Sequence, residues 1–207
     1  MENAIVKNVF TSEDIQIIKD IINKRVSELP HIDVDASEPA ASREHVRIIR
    51  SGLGRLTLDH VPLPERITAK ILAIANDISE IPGPFTEFSA ITYGEYSGKY
   101  GVPELNPHKD NGECGLILDY QLDSNTDWHF GADKSAYLLK DNELISMYPV
   151  HQYHWRPRRS FTEDEYVKVI FFEFYTPGVI KKENAEEKNI LRDLVTNFYK
   201  EKNNDNT

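Results

Sequence analysis

A single cysteine, Cys114, stands among 207 residues, so neither an intrachain disulfide nor a cysteine-built zinc site can form, and a reducing compartment is the compatible one. No run approaches the roughly 20 apolar residues that span a bilayer. The N-terminus also lacks the basic, apolar and small-residue order of a secretion signal. Both absences make the cytoplasm the expected location and argue against a membrane partner. Positive charge is scarce: 24 Lys and Arg face 34 Asp and Glu, a net charge of −10, which repels polyanions and makes nucleic acid an unlikely partner. Arg156, Arg158 and Arg159 do cluster, but three arginines on one segment suit an anion or substrate site better than the broad basic face that a phosphate backbone needs. No glycine-rich phosphate loop is present and no Ser-His-Asp or Cys-His arrangement can be argued, so NTPase and hydrolase chemistry lose support.

The chain that remains is long enough for one sizeable core and short for two. It reads as a single domain over 1–207. From Ser12 to Leu29, Ile15, Ile18, Ile22, Val26 and Leu29 recur at helical spacing behind Thr11 or Ser12 as N-cap, which predicts an amphipathic helix. A second helix is expected after Pro64, with Ile67, Ile71, Ile74, Ala75 and Ile78 on one face, ending before Pro82. A third is expected over 182–202, carrying Ile190, Leu191, Leu194, Val195 and Phe198.

Between the second and third helices the texture changes to short β-prone runs broken by Gly, Pro, Asn and Asp. Strands are expected near 46–50, 55–58, 86–93, 115–122, 128–130, 135–139, 144–149, 152–156 and 167–175. The order is a helical N-terminal part over about 1–82, a β core over about 85–177, then a closing helix, with no alternating βαβ rhythm. That is an α+β chain built on an antiparallel core. The segment 94–107, rich in Gly, Tyr and Pro, reads either as a lid or binding rim or as an ordinary connection.

His108-Lys109-Asp110 puts an imidazole and a carboxylate two positions apart, so on an extended segment both face the same way and can chelate one ion. Such a triplet is common and usually sits on a solvated turn. Its weight comes from a second histidine-bearing segment, Tyr148-Pro149-Val150-His151-Gln152-Tyr153-His154-Trp155-Arg156, ahead of the β-prone run Val167 to Phe174. Two histidines and one carboxylate on one face of an octahedral ion leave three adjacent positions open, as oxygen-activating iron centres require.

With these motifs, residues 86–176 resemble the Fe(II)- and 2-oxoglutarate-dependent dioxygenases, in the prolyl-4-hydroxylase-like branch. Ile91-Thr92-Tyr93 and Gly98 lead into His108-Lys109-Asp110, and an aromatic-Pro step precedes His154-Trp155-Arg156. The resemblance implies a double-stranded β-helix core of the jelly-roll or cupin kind, flanked by N-terminal helices and a C-terminal helix. It also implies Fe(II) held by His108, Asp110 and His154, with His151 as a neighbouring residue, and O₂ and 2-oxoglutarate as co-reactants. Members of the family anchor the far carboxylate of 2-oxoglutarate with a cation on the strand after the distal histidine, where Lys168 stands. On that strand Lys168, Ile170, Phe172 and Phe174 share a face, expected to point inward. Arg156 is its rival, because an extended segment turns it the same way as His154 and a guanidinium grips a carboxylate with two parallel bonds. The stretch Pro157 to Tyr166 is longer than in simple members, which weakens the lysine assignment. Tyr93 is either a cosubstrate contact or a core tyrosine.

Trp128 and Trp155 read as packing residues, and His31, His45, His60 and His129 as core or surface histidines. The implied reaction converts 2-oxoglutarate to succinate and CO₂ while a C–H bond is hydroxylated. A peptidyl proline, another protein side chain and a free small molecule all stay open as substrate, and nothing in the sequence selects an oligomeric state. Two other functions fit the same barrel: a cupin-like metal enzyme that ignores 2-oxoglutarate, and a non-enzymatic module holding a peptide or anion.

Overall fold

The computed structural model describes residues 1–33, 46–110, 113–176 and Thr196. The expected helix over 182–202, apart from Thr196, and His45 lie outside them. In chain order the elements are β1 (Ile5–Lys7), α1 (Ser12–Glu28), β2 (His31–Asp33), β3 (Arg47–Arg50), β4 (Arg55–Leu58), α2 (Glu65–Ile78), β5 (Ala90–Ser97), β6 (Leu105–His108), β7 (Cys114–Ser124), β8 (Phe130–Ala132), β9 (Ser135–Tyr137), β10 (Glu143–Met147), β11 (His154–Arg156) and β12 (Tyr166–Tyr175).

The strands form two sheets. The larger runs β1-β10-β7-β12-β5-β4-β3-β2 and the smaller β6-β11-β8-β9. From β5 onward the chain crosses repeatedly between them: β5 lies in the larger sheet, β6 in the smaller, β7 in the larger, β8 and β9 in the smaller, and so on to β12. This is a jelly-roll-like core. β1 to β4 extend the larger sheet on both sides, so the N-terminal part, expected to be helical, supplies four strands as well as α1 and α2.

Each helix forms where the sequence puts its apolar stripe. Thr11 caps α1 by accepting from the Asp14 backbone N–H, and Ile18 and Ile22 are buried. Ile67, Ile71 and Ala75 bury one face of α2. Both helices cover the outer face of the larger sheet, against Leu56 and Leu58 of β4, Tyr93 of β5, Leu116, Leu118 and Tyr120 of β7, and Ile170, Phe172 and Phe174 of β12. Alternation then turns the other residues of those strands toward the smaller sheet. Ile117 packs there with Phe130, Ile145 and Met147; Val167 and Val169 pack with Tyr96 and Trp128. Between these two apolar clusters lies a cavity of about 200 Å³ whose lining mixes apolar residues with polar and charged ones.

Segment 94–107 is not one loop. Residues up to Ser97 belong to β5, and Leu105–His108 are β6. Gly94 does not break β5; it pairs in register with Val169 of β12 and Thr57 of β4.

Candidate metal centre

β6 and β11 lie antiparallel with His108 and His154 as direct partners, which brings two imidazoles side by side at one end of the cavity, ring centroids 4.2 Å apart. Asp110, two residues on from His108, joins them: its Oδ1 is 3.2 Å from His108 Nε2 and 3.6 Å from His154 Nε2. The three donor atoms all lie within 4.8 Å of one another. Ligands bound at about 2.1 Å to adjacent octahedral positions sit about 3 Å apart, so this cluster closes on an ion with small adjustments.

Local hydrogen bonds orient the ligands. His108 Nδ1 lies 2.7 Å from the Asn106 carbonyl oxygen, and His154 Nδ1 lies at a longer 3.5 Å from that of Gln152. Donation from each Nδ1–H to a backbone carbonyl leaves both Nε2 lone pairs facing Asp110, the tautomer a metal ligand needs. Burial and the neighbouring His108 pull the His154 imidazole down to about 4, against the opposing pull of Asp110, so the ring is neutral at neutral pH. His154 is 4% exposed, whereas His108 is 40% exposed and leaves the cluster open on one side. These donors fit a divalent first-row metal such as Fe(II). His151 is exposed and lines a separate cavity of about 620 Å³, with Lys109, Lys134 and Tyr153, that shares no residue with the first.

Arg156 follows His154 on the same face of β11 and lines the cavity. Its Nη2 donates to Asp119 Oδ2 at 2.8 Å, and Tyr96, Trp128 and Phe130 surround its guanidinium at 5.1 to 5.7 Å. Burial pushes the Asp119 carboxyl up while the Arg156 guanidinium works against it. Arg156 Nη1 and Asp119 Oδ1 are buried without a hydrogen-bond partner among the described residues. Across the cavity Glu173 is raised to about 7, by burial and then by Asp110 and Asp59.

Lys168 and Tyr93 are elsewhere, a correction to the expected cosubstrate set. Lys168 does share a face with Ile170, Phe172 and Phe174, but that face lies under the helices. Its Nζ is 3.9 Å from Asp123 Oδ2, while the other oxygen of that carboxylate, Oδ1, pairs with Lys19 of α1 at 3.2 Å. Tyr93 lies in the same helix-covered layer and donates to Glu95 at 3.0 Å. The β12 residues that line the cavity are Phe171 and Glu173, and the β5 residues Thr92 and Tyr96. The arginine cluster is also dispersed, since Arg158 pairs with Glu104 and Arg159 with Glu165. Trp128 packs beside the cavity, its indole N–H donating to the Pro157 carbonyl at 2.8 Å. His129 is half-buried, and His31 and His60 are exposed.

Sequence reasoning overlooked Arg55, Tyr96, Asp119 and Glu173. Asp119 carried a signal: a lone carboxylate in the apolar run Gly115 to Tyr120 requires a buried partner. Arg55 carried none.

No protein-family model and no curated protein sequence matches this chain. Solved structures do match. A prolyl hydroxylase from Trichoplax adhaerens, in complex with a hypoxia-inducible-factor peptide, is 12% identical with a TM-score of 0.55, covering 84% of this chain and 83% of its own. The two chains share a fold. AviO1 from Streptomyces viridochromogenes is 11% identical with a TM-score of 0.59, covering 86% and 90%. HygX from Streptomyces hygroscopicus, solved with nickel and 2-oxoglutarate bound, is 11% identical with a TM-score of 0.52, covering 89% and 88%. The resemblance to Fe(II)- and 2-oxoglutarate-dependent dioxygenases thus extends from the motifs of residues 86–176 to the fold of the described chain. Among the described residues no helix is long and apolar enough to cross a membrane.

Proposed function

We propose that this protein is an Fe(II)- and 2-oxoglutarate-dependent dioxygenase that hydroxylates a C–H bond of a protein side chain or a small molecule, with release of succinate and CO₂. The observation that carries the reading is the convergence of His108, Asp110 and His154 at the mouth of a jelly-roll cavity that has arginine at its other end. In such a site Fe(II) supplies O₂ activation coupled to decarboxylation of the 2-oxo acid. The protein holds the ion through these three residues, keeps His154 neutral by burial, and presents a cation to the cosubstrate. A strand advances about 3.3 Å per residue, so the arginine-bearing end of the cavity, marked by Arg156 two residues beyond His154, stands about one five-carbon diacid from the metal ligands.

Cavity size bears on the substrate. Pockets that enclose drug-sized ligands measure roughly 300–1,000 Å³, whereas this one holds about 200 Å³. It suits a small diacid and leaves the substrate to approach over the open His108 side. HygX has been solved with hygromycin B and the Trichoplax enzyme with a peptide, and a surface-docked substrate of either kind fits this arrangement.

Anaerobic Fe(II) titration, with and without 2-oxoglutarate, tests the reading through the weak visible charge-transfer band of the chelate. Wild-type protein should bind one Fe(II) and develop the band. His108→Ala, Asp110→Ala and His154→Ala should each lose the ion, and His151→Ala should keep it. Well-folded wild-type protein with no band would overturn the proposal.

A further inference from the structure

Resting on the function proposed above, we infer that Arg55, from β4 outside the roll, supplies the uncompensated positive charge that receives the far carboxylate of the 2-oxo diacid. The residues lining the cavity include two cations, Arg55 and Arg156. Arg156 is already neutralised by Asp119 at 2.8 Å. Arg55 makes no ion pair among the described residues. Its Nη1 donates at 3.0 Å to the phenol oxygen of Tyr96, an uncharged partner, and its buried Nε has no acceptor among the described residues. Asp119 and Glu173 feel its charge from a distance, without an ion-pair contact.

The backbone delivers this arginine. Gly54 sits at φ +55°, where a Cβ would lie 2.4 Å from Pro103 N, so the turn into β4 is fixed. Arg55 then pairs in register with Tyr96 of β5. The Arg55 side chain lies alongside Gly94 of β5, its Cδ 3.4 Å from where a Cβ there would stand, an ordinary contact. The result is a donor set suited to a carboxylate: the Arg55 fork, the hydroxyl proton of Tyr96, which accepts from Arg55 and can still donate, and the unpartnered Nη1 of Arg156. A 2-oxo acid without a second carboxylate leaves this set unused.

The test compares 2-oxoglutarate with pyruvate, which keeps the chelating 2-oxo acid and lacks the far carboxylate. Each is titrated anaerobically into Fe(II)-loaded wild type, Arg55→Gln, Arg55→Lys and Arg156→Gln, with the charge-transfer band as readout and Fe(II) stoichiometry as the folding control. Arg55→Gln should raise the dissociation constant for 2-oxoglutarate about 10- to 100-fold, the range for losing a charge-assisted hydrogen bond. Pyruvate binding should be unmoved and Arg55→Lys should recover part of the loss. Equal losses for both acids would assign Arg55 to fold or metal geometry and overturn the proposal, as would an effect confined to Arg156→Gln. Wild type that binds Fe(II) but neither 2-oxo acid would remove the functional reading itself.

Discussion

Arg156 on the smaller sheet and Asp119 on the larger meet at 2.8 Å, with side chains 1% and 0% exposed. The contact bridges the two layers of the jelly roll, so one ion pair both closes the sandwich and forms the end of the cavity away from the metal ligands.

Removing one partner should therefore be costly. Asp119→Ala leaves a buried guanidinium without its counter-charge and is expected to lower stability by about 3–5 kcal/mol. Asp119→Leu combined with Arg156→Met should recover most of that loss. Urea unfolding of the two variants measures both values, and a single-variant loss under about 1 kcal/mol would show that the pair does not hold the layers together.

Gly131 lies opposite Trp155 in register, and a Cβ there would fall 2.1 Å from the indole ring. Gly131→Ala must push Trp155 aside, at a cost of about 1–3 kcal/mol for overpacking. Trp155 sits between His154 and Arg156, so the same variant should weaken Fe(II) binding. Urea unfolding and metal titration on one sample should move together.

Lys168→Met should leave 2-oxoglutarate affinity unchanged. Its partner Asp123 is held by Lys19 as well, and the pair is partly exposed at 3.9 Å, so stability should shift by no more than about 1 kcal/mol. A steep rise in the 2-oxoglutarate requirement would return the lysine to the site.

Cys114 should resist alkylation. Burial, then Glu173, pushes its thiol from 9.0 to about 12, so at pH 8 the folded protein holds about a thousandfold less thiolate than the unfolded chain. A more basic thiolate attacks faster, by roughly 10- to 30-fold over three pKa units, which leaves a net slowing of about 30- to 100-fold. Iodoacetamide labelling at pH 8, with and without denaturant, reads the ratio directly.

Much of this architecture was legible from periodicity. The 3.6-residue stripes of α1 and α2 and the β runs at 55–58, 115–122 and 167–175 match their elements to within one or two residues at each end. β5 was placed four residues early at each end, because Gly94 and Gly98 mimic a turn where one of them is a clearance. β1, β2 and β6 are three or four residues long and carry too little pattern to stand out.

The candidate ligands His108 and Asp110 were legible because their spacing is local, whereas His154, far along the chain, came from the family resemblance. The anion end of the cavity was not legible, for two separate reasons. β12 is buried on both faces, so alternation groups Lys168 with Ile170 without saying which layer covers them. Arg55 reaches the cavity only through the pairing of β4 with β5, a contact across 41 positions that no short motif records.

That pairing makes the crossing strands β5 to β12 chemically incomplete by themselves. They hold the three candidate metal ligands, while one of the cavity's two arginines arrives on a strand that precedes α2. A fragment beginning after residue 82 would carry the three candidate ligands and lack one of the two arginines facing them, so in this protein the N-terminal segment is a structural part of the cavity wall.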